Sequence, residues 1–158
     1  MSTFSLSHYQ DLLKTITNNI KNRQLNQALE EHLNQQFPAS SELFKAIETA
    51  SHAGIASGDL CQHKAGGISY GRVIKPCPEL SGFSIDLVQM KDVVGPHHRH
   101  PQGEIDLIMP ISAQAKFDNY GAGWRVYGPD SAHCPTVTEG EALVLYLLPG
   151  GEIEFTRN

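Results

Sequence analysis

The stretch Gly95-Pro96-His97-His98-Arg99-His100-Pro101-Gln102-Gly103-Glu104 places three of the chain's eight histidines within four positions. In an extended segment side chains alternate, so His98 and His100 point to one side while His97 and Arg99 point to the other. Two imidazoles on one face, with the Glu104 carboxylate following, make a nitrogen-and-oxygen donor set suited to a divalent metal. A fourth group is His133, in Val126-Tyr127-Gly128-Pro129-Asp130-Ser131-Ala132-His133, where a strand ends in a Gly-Pro turn. His97 and Arg99 are expected at a solvated surface or at an edge contact in a dimer. The other four histidines (His8, His32, His52 and His63) fall in helical or loop text with no partners at ligand spacing.

Working outward from that stretch, the text on both sides has a period of two. Ile68–Ile74 alternates, and Phe83–Val88, Glu104–Met109, Ala115–Phe117, Trp124–Tyr127, Ala142–Leu148 and Glu152–Phe155 are further strand candidates. Gly, Pro, Asn or Asp bounds each of them, as turns require. Pro149-Gly150-Gly151 reads as a hairpin turn between the last two. Short strands at this spacing, with no helical pattern between them, predict a β-sandwich or barrel.

The beginning of the chain differs. Residues 1–50 hold no Gly and a single Pro, Pro38, whereas residues 51–158 hold all 14 Gly and the other eight Pro. Leu6, Tyr9, Leu13, Ile16 and Ile20 form the stripe of an amphipathic helix. Leu25, Ala28, Leu29 and Leu33 form a second, stopped by Phe37-Pro38. Ser40 or Ser41 caps a third, with Leu43, Phe44 and Ile47 on one face. The division is therefore a helical segment at 1–50, packed on the barrel or at a dimer interface, and a β-barrel at 51–158.

Composition excludes several classes. With 12 Lys+Arg against 17 Asp+Glu the net charge is −5, which argues against a duplex nucleic-acid binder and its basic stripe. No run of 18 apolar residues marks a membrane span. The opening MSTFSLSHYQ lacks the basic and apolar regions of a signal peptide, so a cytoplasmic location is expected. Cys61, Cys77 and Cys134 are an odd, widely spaced set, read as free thiols rather than a disulfide framework. Cys134 is expected to be a small buried hydrophobe, because its neighbour His133 points the other way along a strand and is a poor base.

Inward-facing strand residues wall the pocket of a small barrel. Tyr70 and Arg72 share one face of their strand, and either Trp124 with Val126 or Arg125 with Tyr127 lines a later one. Arg grips a carboxylate through two N–H groups, and an aromatic ring beside it suits a flat substrate, so a small anionic aromatic acid is favoured. Asp106 shares the face of Glu104 and could orient a ligand or transfer protons. Tyr127 and Tyr146 could orient such a proton.

His98-x-His100-x3-Glu104, followed by Gly-Pro-x3-His, resembles the two metal-binding motifs of the cupin superfamily. The resemblance implies a double-stranded β-barrel over roughly residues 66–158, with His98, His100, Glu104 and His133 as ligands. Two departures stand out: Ile111 occupies the usual closing Gly of the first motif, and Pro129-x3-His133 is one residue shorter than the usual second motif. The helical first third together with GPHHRHPQGEIDLIMP and FDNYGAGWRVYGPDSAHCPTVTEGEALVLYLLPGGEIEF is similar to the bacterial 4-hydroxylaminobenzoate lyases. That likeness implies conversion of 4-hydroxylaminobenzoate to 3,4-dihydroxybenzoate with release of ammonia. It implies a divalent ion (Fe, Mn, Ni, Co or Zn) acting as a Lewis acid, or metal-free proton transfer by Glu104 or Asp106. An Arg would hold the ring carboxylate, and a homodimer is expected, as is common among cupins. An Fe(II)-dependent dioxygenase of a small aromatic or thiol substrate and a non-enzymatic small-molecule binder are the alternatives.

Overall fold

Each helix begins where a side chain can accept an otherwise unpaired amide. In the computed structural model, which describes residues 4–156, Ser5 accepts from His8 N ahead of α1 (Leu6–Ile20). Asn26 accepts from Leu29 N ahead of α2 (Gln27–Gln36), and Ser41 accepts from Phe44 N ahead of α3 (Glu42–Ala56). Tyr9, Leu13, Ile16 and Ile20 form the buried stripe of α1, whereas Leu6 is exposed. Leu29 and Leu33 are buried on α2. The third helix runs on to Ala56, beyond the change in composition at residue 51. Gly54 lies inside it because a Cβ there would run into Leu60, so helix propensity yields to close packing.

Among the described residues ten strands follow: β1 (His63–Ala65), β2 (Ile68–Ile74), β3 (Phe83–Val94), β4 (His98–His100), β5 (Glu104–Pro110), β6 (Lys116–Phe117), β7 (Gly123–Tyr127), β8 (Ser131–His133), β9 (Thr136–Pro149) and β10 (Glu154–Phe155). They form a seven-stranded antiparallel sheet in the order β1-β2-β3-β9-β5-β7, with β6 on β9, and a three-stranded sheet in the order β10-β4-β8. The chain is α+β and mainly β: three helices followed by a cupin-type double-stranded barrel.

β3 and β9 continue well beyond the limits that alternation marks. Lys91-Asp92 and Glu139-Gly140 lie outside those limits and are the two sides of an irregularity in one long ladder. Asp92 and Glu139 have φ of 41° and 63°, and Asp92 accepts a hydrogen bond from Gly140 N at 3.0 Å. Pro149-Gly150-Gly151 does turn, but it makes no hairpin. β10 pairs with β4, so the turn carries the chain from the large sheet to the small one.

Register assigns each residue of the large sheet to a face. Gly71, Leu87, Leu145, Leu107 and Trp124 are Cα partners in one row across β2, β3, β9, β5 and β7. The Leu and Trp side chains of that row join Tyr9, Leu13, Leu33, Phe44 and Ile47 of the helices in one core. The adjacent row is Arg72, Asp86, Tyr146, Asp106 and Arg125, which lies on the opposite face. On that face Met90, Ile108, Phe117, Val144, Tyr146 and Leu148 form the barrel's own core.

Trp124 is therefore not a wall of the barrel interior. Its Nε1 donates to Phe37 O at 2.9 Å, and its backbone N–H and C=O both pair with the Asn34 side chain. Of the two alternatives on β7, the structure turns Arg125 and Tyr127 inward. A one-residue difference in register decides such a choice, and periodicity in a five-residue strand leaves it open.

Candidate metal centre and active site

Two sheets contribute to the site. On β4, His98 and His100 point into the barrel and are buried, while Arg99 points out to pair with Glu154 and Asp130, and His97 contacts Thr156. β8 lies beside β4 with His133 opposite His98. After His100 the chain crosses to the large sheet through Pro101-Gln102-Gly103, and Glu104 is the first residue of β5. Gly103 has φ +93°, and a Cβ there would lie 2.7 Å from Tyr127 O. The tight turn thus requires a residue without a side chain, and it explains how ligands only four positions apart come to face one another across two sheets.

One ligand atom from each of His98, His100, Glu104 and His133 lies within 4.8 Å of all the others. His98 Nε2 is 3.2 Å from His133 Nε2 and 3.7 Å from Glu104 Oε1, and His133 Nε2 is 3.1 Å from that same oxygen. His100 Nε2 also contacts Glu104 Oε1. Neither ring nitrogen of His100, nor Glu104 Oε2, has a hydrogen-bond partner, although all are buried. Buried polar atoms that converge without partners are costly unless something else satisfies them. Three imidazoles and a carboxylate are the donors that late first-row divalent ions take, so the cluster could hold such an ion.

The electrostatics follow from burial and close neighbours. Burial would raise the Glu104 carboxyl, but Asp106 and the imidazoles of His100, His133 and His98 beside it outweigh that and hold the group well below the usual carboxylate range. Asp106 goes the other way: burial, and then the neighbouring Glu104 charge, push it well above that range. Of the two carboxyls Asp106 is thus the more readily protonated. Burial lowers His98. For His133 burial also acts downward, but Asp118 and Glu104 outweigh it and carry the ring to about 9.

Tyr127 stacks on the His133 ring at 4.5 Å between centroids, and its hydroxyl donates to Asp118 Oδ2 at 2.6 Å. Burial and the surrounding carboxylates push this phenol up, so it remains a donor. Tyr146 is raised for the same reasons. Arg125 has its guanidinium 3.6 Å from the Tyr120 ring centroid and bonds Glu30 of α2 at 2.9 Å, while its buried Nε has no partner. Arg72 is already engaged, with Asp86 at 2.9 Å and Gly151 O at 3.0 Å. Tyr70 is half exposed on β2, with its ring beside His63. The structure thus gathers His98, His100, Glu104, His133, Asp106 and Tyr127, and it sets Arg125 in register with Asp106. Trp124 and Tyr70 lie apart from this group.

Two residues beside the cluster carry no local sequence signal. Asp118 follows β6, and the Asp118-Asn119 pair, with φ of 49° and 73°, reads only as turn chemistry. Phe155 is the partner of His98 across β10 and β4, with ring centroids 6.1 Å apart, yet it is 68% exposed. Cys134 is exposed rather than buried, since it lies just past the edge strand β8.

The barrel and its His/His/Glu/His group define a cupin. The comparisons narrow this to a family. The profile described as "PnbB: 4-hydroxylaminobenzoate lyase" matches residues 11–155, and the chain belongs to that family of lyases. A 4-hydroxylaminobenzoate lyase of Nocardioides sp. (strain LMS-CY) is 32% identical over 162 residues, covering 95% of this chain and 96% of the relative. One from Pseudomonas putida is 29% identical, covering 86% and 87%. Among solved structures, one reported under "Crystal structures of DMSP lyases RdDddP and RnDddQII" aligns with a TM-score of 0.51 at 12% identity. It covers 74% of this chain and 71% of that one, a likeness of fold. Among the described residues no helix is long and apolar enough to cross a membrane.

Proposed function

We propose that the protein converts 4-hydroxylaminobenzoate and one water to 3,4-dihydroxybenzoate and ammonia. The observation that carries this is the buried cluster of His98, His100, Glu104 and His133 with the buried Asp106 carboxyl against it. It lies in a chain matched almost throughout by that family. The N–O bond must break heterolytically, with a proton passing to the departing hydroxyl. Water must then add at the ring carbon next to the one bearing nitrogen, and the resulting imine must be hydrolysed before the ring regains aromaticity. No oxidant enters: the N–O bond supplies the two-electron change.

An ion among Fe, Mn, Co, Ni and Zn, held by the four ligands, would supply Lewis acidity toward the hydroxylamino oxygen. The protein's own groups account for the rest. Asp106 is the proton donor to the leaving hydroxyl, and as a carboxylate it then accepts a proton from the adding water. Arg125, with a free buried Nε–H in register with Asp106, holds the ring carboxylate. Arg72 has its donors committed to Asp86 and Gly151, which leaves Arg125 the better anchor. Phe155 offers an aromatic face beside His98.

The direct test is incubation of purified protein with 4-hydroxylaminobenzoate, followed by chromatography for 3,4-dihydroxybenzoate and an ammonia assay. Equal amounts of both products without oxygen uptake are expected. Oxygen consumption, or no turnover with any of the five metals added, overturns the reading.

A further inference from the structure

We propose that Asp118 is a positioning residue that fixes the tautomer of His133, so that Nε2 presents its lone pair to the ligand cluster. This rests on reading the cluster as a metal site. Asp118 uses both carboxylate oxygens. Oδ1 accepts from Thr136 N at 2.9 Å, which fixes the carboxylate plane. Oδ2 lies 2.8 Å from His133 Nδ1 and accepts from the Tyr127 hydroxyl at 2.6 Å.

A carboxylate can only accept, so His133 Nδ1 must carry the hydrogen. A metal ion takes a neutral imidazole, and with the hydrogen held on Nδ1 the nitrogen left to bind it is Nε2, the atom that faces Glu104 Oε1 and His98 Nε2. The other two imidazoles lack this control. His100 Nδ1 has no partner, and among the described residues no carboxylate holds the Nδ1 of His98. The Tyr127 ring, tilted 25° from that of His133, closes the remaining side. His133 thus comes from a short edge strand and a shortened turn, and the Asp118 contact supplies the orientation that its own backbone does not.

The substitution Asp118→Asn tests this. Its amide oxygen can still accept from Thr136, but its NH2 would face His133 Nδ1, which favours the tautomer with hydrogen on Nε2. Zn(II) or Co(II) affinity, measured by calorimetry on metal-stripped protein, should fall about ten- to a hundredfold. Far-UV circular dichroism of the stripped protein should be unchanged. Tyr127→Phe, which removes only the hydroxyl, should keep metal affinity within about threefold of wild type. Wild-type affinity in Asp118→Asn overturns the assignment.

A measurement without any variant guards against misfolding. In the long-range 1H–15N spectrum of the zinc-loaded protein, His133 should be metal-bound through Nε2 and protonated on Nδ1. Binding through Nδ1 overturns the proposal. If the wild-type protein binds none of the five metals, the metal-site reading and this inference fall together. If metal binding depends on Asp118 but 4-hydroxylaminobenzoate is not turned over, the inference stands and the substrate reading falls.

Discussion

Asp106 and Glu104 are two carboxyl groups on one strand, two residues apart and both fully buried, and their surroundings shift them in opposite directions. Asp106 and three imidazoles hold Glu104 below the usual carboxylate range against the effect of its burial, whereas burial, and then the neighbouring Glu104 charge, push Asp106 above it. Asp106→Asn keeps the shape but removes the transferable proton. It should lower kcat by about a hundred- to ten-thousandfold, with Zn(II) affinity close to wild type, measured by product chromatography and calorimetry. The cysteines give a simpler check. Burial pushes the Cys61 thiol up to about 11, whereas Cys134 is exposed. Ellman's reagent should titrate Cys134 rapidly in the native protein and Cys61 only after unfolding. Residues whose role depends on close spacing were legible in the sequence: His98 and His100 share a face by alternation, and Glu104 follows four positions after His100. Asp118 was not legible, because its contacts with Tyr127, His133 and Thr136 are made by chain folding rather than by local pattern.

Among the elements, the three-residue turn between β4 and β5 has the least freedom. An alanine at Gly103 would combine a left-handed backbone with contacts against Tyr127 O and Leu25 Cδ2. Gly103→Ala should therefore cost about 2 kcal/mol in urea unfolding, and it should weaken metal binding, since Glu104 would shift against His100. β10 belongs to this scale as well. It is held by pairing of Phe155 with His98 and of Glu154 with Arg99, and by Thr156 N donating to His97 O at 3.0 Å. Phe155→Ala should raise KM for the aromatic substrate several-fold with little change in kcat, in steady-state assays. The existence of seven strands was readable from alternation and turn residues, whereas the three-residue β1, β4 and β8 were not among the strand candidates. Strand extent was not readable: Asp92 and Glu139-Gly140 look like punctuation, and only pairing across the ladder shows that the strands continue through them. The face of β7 was equally hidden, because Trp124 and Arg125 are both chemically plausible on either side.

For the whole molecule, the helices are one half of its principal core. Ile85, Leu87, Ile105, Leu107, Leu143, Leu145 and Leu147 of the large sheet pack against Tyr9, Leu13, Ile16, Leu29, Leu33, Phe44 and Ile47. A chain starting at residue 57 would expose that entire sheet face to water, at about 1.5–3 kcal/mol for each large side chain. It should fail to fold, judged by lost amide dispersion, while the full chain should unfold in a single transition seen alike by circular dichroism and by Trp124 fluorescence. The compositional break near residue 51 falls inside α3, and the change from helix to strand comes later, between Ala56 and His63.

The distribution of the ligands between the sheets has a consequence for motion. Three come from the small sheet, whose strands are only three, three and two residues long, and the fourth comes from the start of β5 in the large one. So few backbone pairs protect their amides weakly, and an ion gripped from both sides would act as a clasp across the seam. Amide exchange at residues 98–100 and 131–133 should therefore slow sharply on metal loading while that of β3 and β9 hardly changes. In this barrel, metal loading would be felt first as the rate at which its smaller wall opens.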